Sequence, residues 1–444
     1  MLEVEKRERA GSAEVGPVAV RRQRAFVALW SAHTVSQFGT QISFFVIPLL
    51  ALTALSATPG QLGLVSAAET LPFLLLGLPA GALLDRWDRR RVMTVADLGR
   101  AAAVCALPLG YAAGVLSVPL LCATAFVTGV FTVFFDIADQ AFLPSVVTRA
   151  QTADGNSRLE FSRSAAELAG PSLGALLLQG LTAPLILLVD AVSYLLSAGL
   201  LRSARPVRPE RPERSERPEL PGRPGEAAAP LPRMRTRIAE GLRFVLTHRT
   251  LRPLALATAI SNLAGLGGAL GALLTAYAVR ELRLTPGGLG LALTLGNAGA
   301  LLGAVLTGRL IRRFGLGRVL IVAKSMSGLA VLLLATATSG WAMVGVAAAT
   351  GVMACGVTVY NIGQVSLRQA VTPTGLLARV NASIRFVIWG TLPLGALVGG
   401  LLGTWIGLRP ALWVVAGTGL LSCLPLLLAR DVRALRSIPA GPTG

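Results

Sequence analysis

Charge is scarce in this chain: 14% of its 444 residues are Asp, Glu, Lys or Arg, against about 25% in a soluble globular chain. With 53% apolar residues and a mean hydropathy of +0.65, a soluble multidomain enzyme is excluded as a class. Two histidines and four cysteines leave little for a metal centre. Cys105, Cys122, Cys355 and Cys423 all lie inside apolar runs without ligand-like spacing, so neither a disulfide framework nor a zinc site is expected. No GxxxxGK[ST] phosphate loop is present, which argues against an ATP-driven pump. No HExxH pattern or credible nucleophile constellation occurs either, so the chain is not expected to be an enzyme, and no cofactor is expected. The net charge of +19 raises the question of nucleic acid. Nearly all the positive charge is arginine, however, in short clusters between long uncharged apolar runs. That pattern belongs to an integral membrane protein whose partner is the lipid bilayer, and no nucleic-acid partner is expected.

What is abundant is apolar sequence in lengths that match a membrane. A hydrocarbon core about 30 Å thick needs roughly 20 mostly apolar residues per helix. That measure gives about twelve spans and an all-α membrane fold. In the first half they are Phe26–Leu55, Gln61–Leu84, Val92–Leu116, Pro119–Leu143, Arg158–Gly180 and Pro184–Leu201. In the second they are Leu254–Val279, Gly288–Ile311, Val319–Thr338, Ala342–Leu367, Ile384–Ile406 and Ala411–Leu428. The 49 glycines and 26 prolines scattered through the chain suit close helix packing and bends that neighbouring helices satisfy.

Arginine position predicts orientation. Arg21, Arg22 and Arg24, then Arg86 and Arg89–Arg91, Arg149 and Arg158, Arg309, Arg312, Arg313 and Arg318, Arg368 and Arg379, and finally Arg430, Arg433 and Arg436 recur in every second loop. The alternate loops Ser56–Gly60, Ser117–Val118, Leu181–Ala183 and Ser339–Gly340 carry no charge; Arg280, Glu281, Arg283 and Arg409 are the exceptions on that side. The positive-inside rule then puts both termini in the cytoplasm of a multi-pass plasma-membrane protein. Met1–Val20 lacks the apolar core of a cleaved signal peptide, so the first span is expected to direct insertion. The organisation expected is a cytoplasmic tail (1–24), a first half (25–203), a cytoplasmic linker (204–249), a second half (250–430) and a cytoplasmic tail (431–444). Within the linker, the Pro/Arg/Glu stretch from Arg202 to Arg233 cannot bury a core and is expected to be disordered. Met234–Arg249, with Met234, Ile238, Leu242 and Val245 at helical spacing, reads as an amphipathic helix on the membrane surface.

The halves echo each other. GALLDRWDRRRVM from Gly81 to Met93 corresponds to GRLIRRFGLGRVL from Gly308 to Leu320. FFDI, Phe134–Ile137, corresponds to VYNI, Val359–Ile362, and Asn156 falls on Asn381 in the register of that second pair. A duplicated unit of about six spans is the plan of many secondary transporters, with the substrate site between the halves near the midplane.

Gly81, Asp85, Arg86 and the basic run Arg89–Arg91 resemble the loop signature of the major facilitator superfamily. The resemblance extends over nearly the whole chain. AETLPFLLLGLPAGALLDRWDRRR, FFDIADQAFLPSVV and RSAAELAGPSLGALL are similar to the branch containing bacterial enterobactin exporters and related drug and metabolite efflux proteins. AAELAGPSLGA keeps the Gly-Pro-x-x-Gly part of the fifth-helix exporter motif at Gly170, Pro171 and Gly174. It departs at Ser157 and Ala166, where that motif has glycines. The fourth-helix arginine of drug–proton antiporters has no counterpart in LLCATAFVTGVF. The resemblance implies the two-half major facilitator fold and alternating access. For the Asp85 loop, with Gly81, Arg86 and Arg89–Arg91, it implies a latch on cytoplasmic closure.

Charges inside apolar spans are the default functional candidates. Glu69, Glu167 and Asp190 are the candidates for proton coupling. Asp97 with Arg100, and Asp136 with Asp139, each share a helix face near the cytoplasmic side. They either form part of a gate or simply pair neighbouring helices. Arg163 lies one turn from Glu167 and offers it local neutralisation, so Glu167 is open to a structural as well as a coupling role. Gly170 and Pro171 read as packing and bending residues. The second half offers Lys324, Asn262, Asn297, Asn361 and Gln364, and Arg385 near a span end. Asn262, Asn297, Tyr360 and Asn361 are candidates for the substrate cavity. Aromatics such as Tyr194, Tyr277 and Tyr360 either line that cavity or serve packing.

The function expected is proton-coupled export of a moderately apolar small organic molecule (a drug, siderophore or other secondary metabolite) by a protein expected to be monomeric. The competing readings are a nutrient importer of the same fold and a non-transporting membrane receptor or scaffold.

Overall fold

A computed structural model of the chain describes residues 23–77, 80, 84, 87–148, 151–204, 234–265 and 268–437. Gly81, Asp85 and Arg86 of the expected latch, and residues 205–233 of the expected linker, lie outside this set. Among the described residues the architecture is helical throughout, with no strand. The first set of helices is α1 (Arg24–Ala54), α2 (Pro59–Leu76), α3 (Arg89–Ala112), α4 (Val118–Val146), α5 (Thr152–Leu177) and α6 (Ala183–Ser203). Then comes α7 (Met234–Thr247), where the amphipathic segment was expected. The second set is α8 (Leu251–Ala264), α9 (Ala269–Ala276) with a π-turn at Tyr277–Glu281, α10 (Pro286–Phe314), α11 (Leu316–Thr336), α12 (Ala342–Val371), α13 (Thr374–Trp405) and α14 (Leu408–Leu421). Two short helices, α15 (Leu424–Leu428) and α16 (Arg430–Arg433), end it.

Nine segments among the described residues are long and apolar enough to cross a membrane. They correspond to nine of the sequence-predicted spans. The other three expected spans overlap α2, α5 and α13. For α5 the reason is charge: Glu160, Arg163 and Glu167 sit within its central turns. Large apolar side chains on the outer faces, including Leu109, Phe161, Val305 and Trp405, are more than half exposed. In water such a surface would aggregate; in lipid it is the solvated one.

Local chemistry sets the helix ends. Thr58 and Gln61 form a reciprocal capping box before Pro59 at the start of α2, and Asp88 caps α3 by accepting from the Arg91 amide at 3.0 Å. Thr285 caps α10 at the Gly288 amide. The turn from α10 into α11 needs φ of +85° at Gly315, a conformation only glycine adopts without strain. The sequence-predicted seventh span is interrupted. Its helix stops at Ala264, Gly265 is extended, and α9 resumes at Ala269.

Both sets pack by one scheme. In the first set, α1 packs on α5 and α6, α3 on α4 and α6, and α2 on α4. In the second, α8 and α9 pack on α13 and α14, α11 on α12 and α14, and α10 on α12. The sets meet through α2 against α13 and α5 against α10. The two ends of the bundle differ in charge: one carries Arg89–Arg91, Arg202, Arg312, Arg313 and Arg379, while the turns at the other are nearly bare. Polar contacts between the sets run from the bare end to the middle. Gly60 donates its amide to Thr404 Oγ1 at 2.8 Å, and Arg280 donates to the Ala57 carbonyl at 2.7 Å. Deeper, Ser172 meets Thr294 at 2.6 Å. The bundle is therefore closed at its bare end.

Candidate functional site

A polar layer is built into the interior of the first set. It begins with a stripe on α1: His33, Ser36, Thr40 and Ser43 follow helical spacing and share one face. His33, Ser36 and Ser43 are buried. His33 Nδ1 lies 3.1 Å from Asp139 Oδ2 of α4. Thr40 shares a 2.9 Å hydrogen bond with the Tyr194 hydroxyl of α6. Asp190, also on α6, accepts from Ser43 and from Ser193, the latter at 3.1 Å. Gly39 makes this possible, because a Cβ there would collide with Ser193.

Arg100 and Asp97 of α3 form the layer's central ion pair, and both side chains are essentially unexposed. A guanidinium and a carboxylate removed from water need each other and further partners. The Arg100 guanidinium lies 4.2 Å from the Phe135 ring centroid and 4.5 Å from that of Tyr194, so aromatic faces replace part of its hydration. Asp97 Oδ2, Asp139 Oδ1 and His33 Nε2 are buried with no hydrogen-bond partner among the described residues. The layer thus holds donor and acceptor sites in reserve, which a fully satisfied structural network would not.

The other acids of the first set stand apart. Glu69 on α2 and Asp136 on α4 are half-buried and have no hydrogen bond or ion pair within 4 Å among the described residues. Asp136 lies within electrostatic reach of Arg163, Arg100, Asp139 and His33, but of the two acids expected on one face only Asp139 makes a close contact with α1. Glu167 is exposed, and no ion pair joins it to Arg163. Its position on α5 lies between two packed faces. Gly170 and Gly174 abut Gln41 and Phe45 of α1, and Pro171 abuts Gly290 of α10. At about 100° per residue, Glu167 falls on the arc between those neighbours. Its carbonyl accepts from Asn297 Nδ2 of α10 at 2.7 Å. Gly170, Pro171 and Gly174 therefore fit α5 between the two sets, and α5 stays helical through Pro171.

The arginines of the expected latch that are described hold helix ends together. Arg89 donates to the Ala141 carbonyl at 2.9 Å and Arg90 to the Arg202 carbonyl at 3.3 Å. Arg91 pairs with Asp88 at 3.6 Å. Cations near the last carbonyls of α4 and α6 are favourably placed.

In the second set the expected cavity residues are dispersed. Asn262 sits just before the helix break at Gly265, and its carbonyl faces Gly268 across the break. Asn297 lies at the junction of the sets. Tyr360 is buried, sharing 3.1 Å hydrogen bonds with Thr258 and the Leu254 carbonyl, while Asn361 is exposed. Phe73 of α2 and Trp389 of α13 stack across the junction with centroids 4.1 Å apart.

His33, Ser43 and Ser193 complete the polar layer and were not singled out as site residues from sequence, while Tyr194 was named only as an aromatic that lines the cavity or serves packing. The signal was present: one of only two histidines lies in the first apolar run, at helical spacing from Ser36, Thr40 and Ser43. Among the described residues no group of three or more His, Cys, Asp or Glu side chains is placed to hold a metal.

Two helix sets with one packing scheme, joined by α2–α13 and α5–α10 and carrying buried charge inside apolar spans, define a secondary transporter of the major facilitator class. The family model described as "Transmembrane secretion effector" matches residues 15–440, and the chain belongs to that family of MFS-type transporters, which are not enzymes. It is 26% identical to the MFS-type transporter YfiS of Bacillus subtilis (strain 168) over 41% of this chain and 42% of the relative. It is 32% identical to the multidrug efflux pump Tap of Mycobacterium tuberculosis (strain ATCC 25618 / H37Rv) over 35% of this chain and 38% of that one. The chain thus spans less than half the length of the curated relatives it matches. In structure it is similar to a bacterial homologue of the iron transporter ferroportin in the inward-facing state, with a TM-score of 0.71 and 20% identity, covering 93% of this chain and 99% of that one. At that identity the likeness shows the fold.

Proposed function

We propose that the chain is a proton-coupled exporter of small, moderately apolar organic molecules, drugs or secondary metabolites, working as a monomer by alternating access of two halves of about six spans each. The halves run over residues 25–203 and 250–430, and the basic end of the bundle faces the cytoplasm. Closure at the bare end then makes the conformation inward-facing. The observation that carries the coupling is the placement of acids. Asp97, Asp139 and Asp190 are buried in the first set, whereas residues 250–430 contain one acid, Glu281. A proton arriving from outside neutralises an acid of the first set, and that change of charge alters which closed state is cheaper. Glu69, Glu167 and Asp190 are the coupling residues, and the Asp85 loop latches the cytoplasmic side. Export rather than import is supported by the likeness to Tap and by Gly170, Pro171 and Gly174 of the partial exporter motif.

The test is transport in proteoliposomes with an imposed proton gradient, using a panel of apolar drugs as cargo. Gradient-driven accumulation that vanishes in Asp190→Asn is expected; accumulation indifferent to the gradient sinks the coupling. Orientation is tested separately in whole cells. Cysteines at Ser117, Thr182 and Ser339 should react with a membrane-impermeant reagent, and cysteines within Arg205–Glu226 should not.

A further inference from the structure

The chain has 41 lysines and arginines, and only Lys6 and Lys324 are lysine. Lys324 lies in α11, within an apolar span, and is 5% exposed. Its Nζ rests 3.9 Å from the centroid of the Tyr360 ring on α12, and among the described residues no carboxylate lies within 4 Å of it. In the register that aligns Gly81 with Gly308, Lys324 stands where the first set has Asp97. In the register that aligns Phe134 with Val359, Tyr360 stands where the first set has Phe135. Each set therefore lays a buried cation over an aromatic ring at this level: Arg100 over Phe135, and Lys324 over Tyr360. Among the described residues only the first set supplies a carboxylate beside its cation.

The elements packed against α11 are α8, α10, α12, α14, α15 and α16. Their charged groups are Arg252 on α8, Arg309, Arg312 and Arg313 on α10, Arg368 on α12, Arg409 on α14, and Arg430, Asp431 and Arg433 on α16. Their other titratable groups are Tyr360 and Cys355 on α12, and α15 has none. On α11 itself the other charge is Arg318. Asp431 belongs to the basic end of the bundle, and Glu281, the one acid of residues 250–430, pairs with Arg409 at 3.5 Å at the bare end. The surroundings of Lys324 are thus cationic or neutral. A guanidinium holds its charge under all conditions in proteins, whereas an amine exchanges it. A chain that uses arginine almost everywhere else has its described lysine at the buried position that lacks an anion. At 5% exposure, the ion small enough to relieve or restore the charge is a proton. The Tyr360 hydroxyl is held by Thr258 at 3.1 Å and by the Leu254 carbonyl at 3.1 Å, which fixes the ring under Nζ.

We propose that Lys324 is a proton-exchange site of the second helix set, passing between ammonium and neutral amine as that set opens and closes over the Tyr360 ring. This rests on the proton-coupled reading and adds to it a basic site opposite the acids of the first set. A neutral amine packs on the ring as an apolar group, and an ammonium is held there by the ring face, so one geometry accommodates both forms.

The two-lysine composition makes the test direct. The full chain with Lys6→Arg, labelled with 15N-lysine and reconstituted in proteoliposomes, contains one lysine Nζ. Solid-state NMR reads whether that nitrogen is an ammonium or an amine. The expected result is a resonance that passes from the amine to the ammonium position between about pH 9 and pH 5. A resonance fixed at the ammonium position across that range overturns the proposal, and so does one fixed at the amine position. Export indifferent to a proton gradient would sink the coupled reading while leaving this result standing, so the two failures are distinguishable.

Discussion

His33 Nδ1 and Asp139 Oδ2 face each other at 3.1 Å across the contact of α1 and α4, with both side chains more than nine-tenths buried. Neither His33 Nε2 nor Asp139 Oδ1 has a hydrogen-bond partner among the described residues. The pair thus keeps donor and acceptor capacity unused on each side.

If the two act as one unit, removing either removes the same step. His33→Gln and Asp139→Asn are each expected to lower gradient-driven export at least about tenfold, with the double variant no worse than the worse single one. Multiplying losses in the double variant would show independent roles.

The Asp97–Arg100 pair sets a different expectation, on stability. Arg100→Met leaves Asp97 as a buried charge without its partner, which costs about 3–5 kcal/mol. The reconstituted protein should lose thermal stability sharply. Adding Asp97→Asn to Arg100→Met is expected to recover part of that loss, because the leftover charge is removed. Equal melting temperatures for Arg100→Met and the parent would mean the pair is screened by water.

Closure at the bare end depends on backbone contact between α2 and α13. A Cβ at Gly400 would meet the Pro59 carbonyl at 2.7 Å and Gly63 Cα at 2.9 Å, backbone atoms that cannot rotate away. Gly400→Leu is expected to penalise this closed state by about 1–3 kcal/mol. A cysteine at Ala57, which is 1% exposed at this junction, should then become several-fold more reactive to an impermeant reagent, and export should fall. Unchanged reactivity would mean that the junction yields without opening.

At the basic end, His248 Nδ1 accepts the amides of Thr250 and Leu251 at 3.2 and 3.3 Å, tying the end of α7 to the start of α8. Partial burial holds the His248 imidazole below its usual range. The folded junction therefore favours the neutral ring, and its stabilisation is complete above the unfolded value near 6.5. It is lost as pH falls below that value, where the unfolded chain binds more protons. Protection of the amides of residues 240–252, with the measured exchange corrected for its intrinsic pH dependence, should fall between pH 7.5 and pH 5.5, and His248→Ala should remove that fall.

How much of this was legible in the sequence depends on the distance between partners. Spans declare themselves by length and hydropathy, and Asp97 with Arg100 by a spacing of one helical turn. A helix, α7, stands where the pattern of Met234–Arg249 predicted one. The Asp139 partner on α1 was hidden because more than a hundred residues separate it from His33, and only packing brings them together. The break at Gly265 was equally hidden, since a glycine in an apolar run reads as a packing residue. In α5 the two signals conflicted. Apolar length argued for a span and Glu160, Arg163 and Glu167 argued against one; Glu160 and Glu167 are exposed on a helix that packs on α1 and α10, an arrangement that sequence does not show.

Glu167 and Glu69 give the sharpest test of coupling. Glu167 stands where α5 passes between α1 and α10, and its carbonyl is bonded to Asn297 of the other set, so any relative motion of the sets moves it. Glu69 sits on α2, the other helix that crosses the junction, and has no ion-pair partner among the described residues. Glu167→Gln keeps shape and removes the exchangeable proton. It should bind cargo and support downhill exchange, yet lose uphill accumulation by at least about tenfold, the cost of little more than 1.4 kcal/mol of coupling. Glu69→Gln is the comparison, measured in the same proteoliposomes with and without an imposed gradient. If Glu167→Gln still pumps uphill while Glu69→Gln cannot, Glu69 carries the coupling proton and Glu167 belongs to the hinge. If both pump normally, neither does, and the buried layer around Asp190 and the His33–Asp139 pair must hold the coupling protons instead.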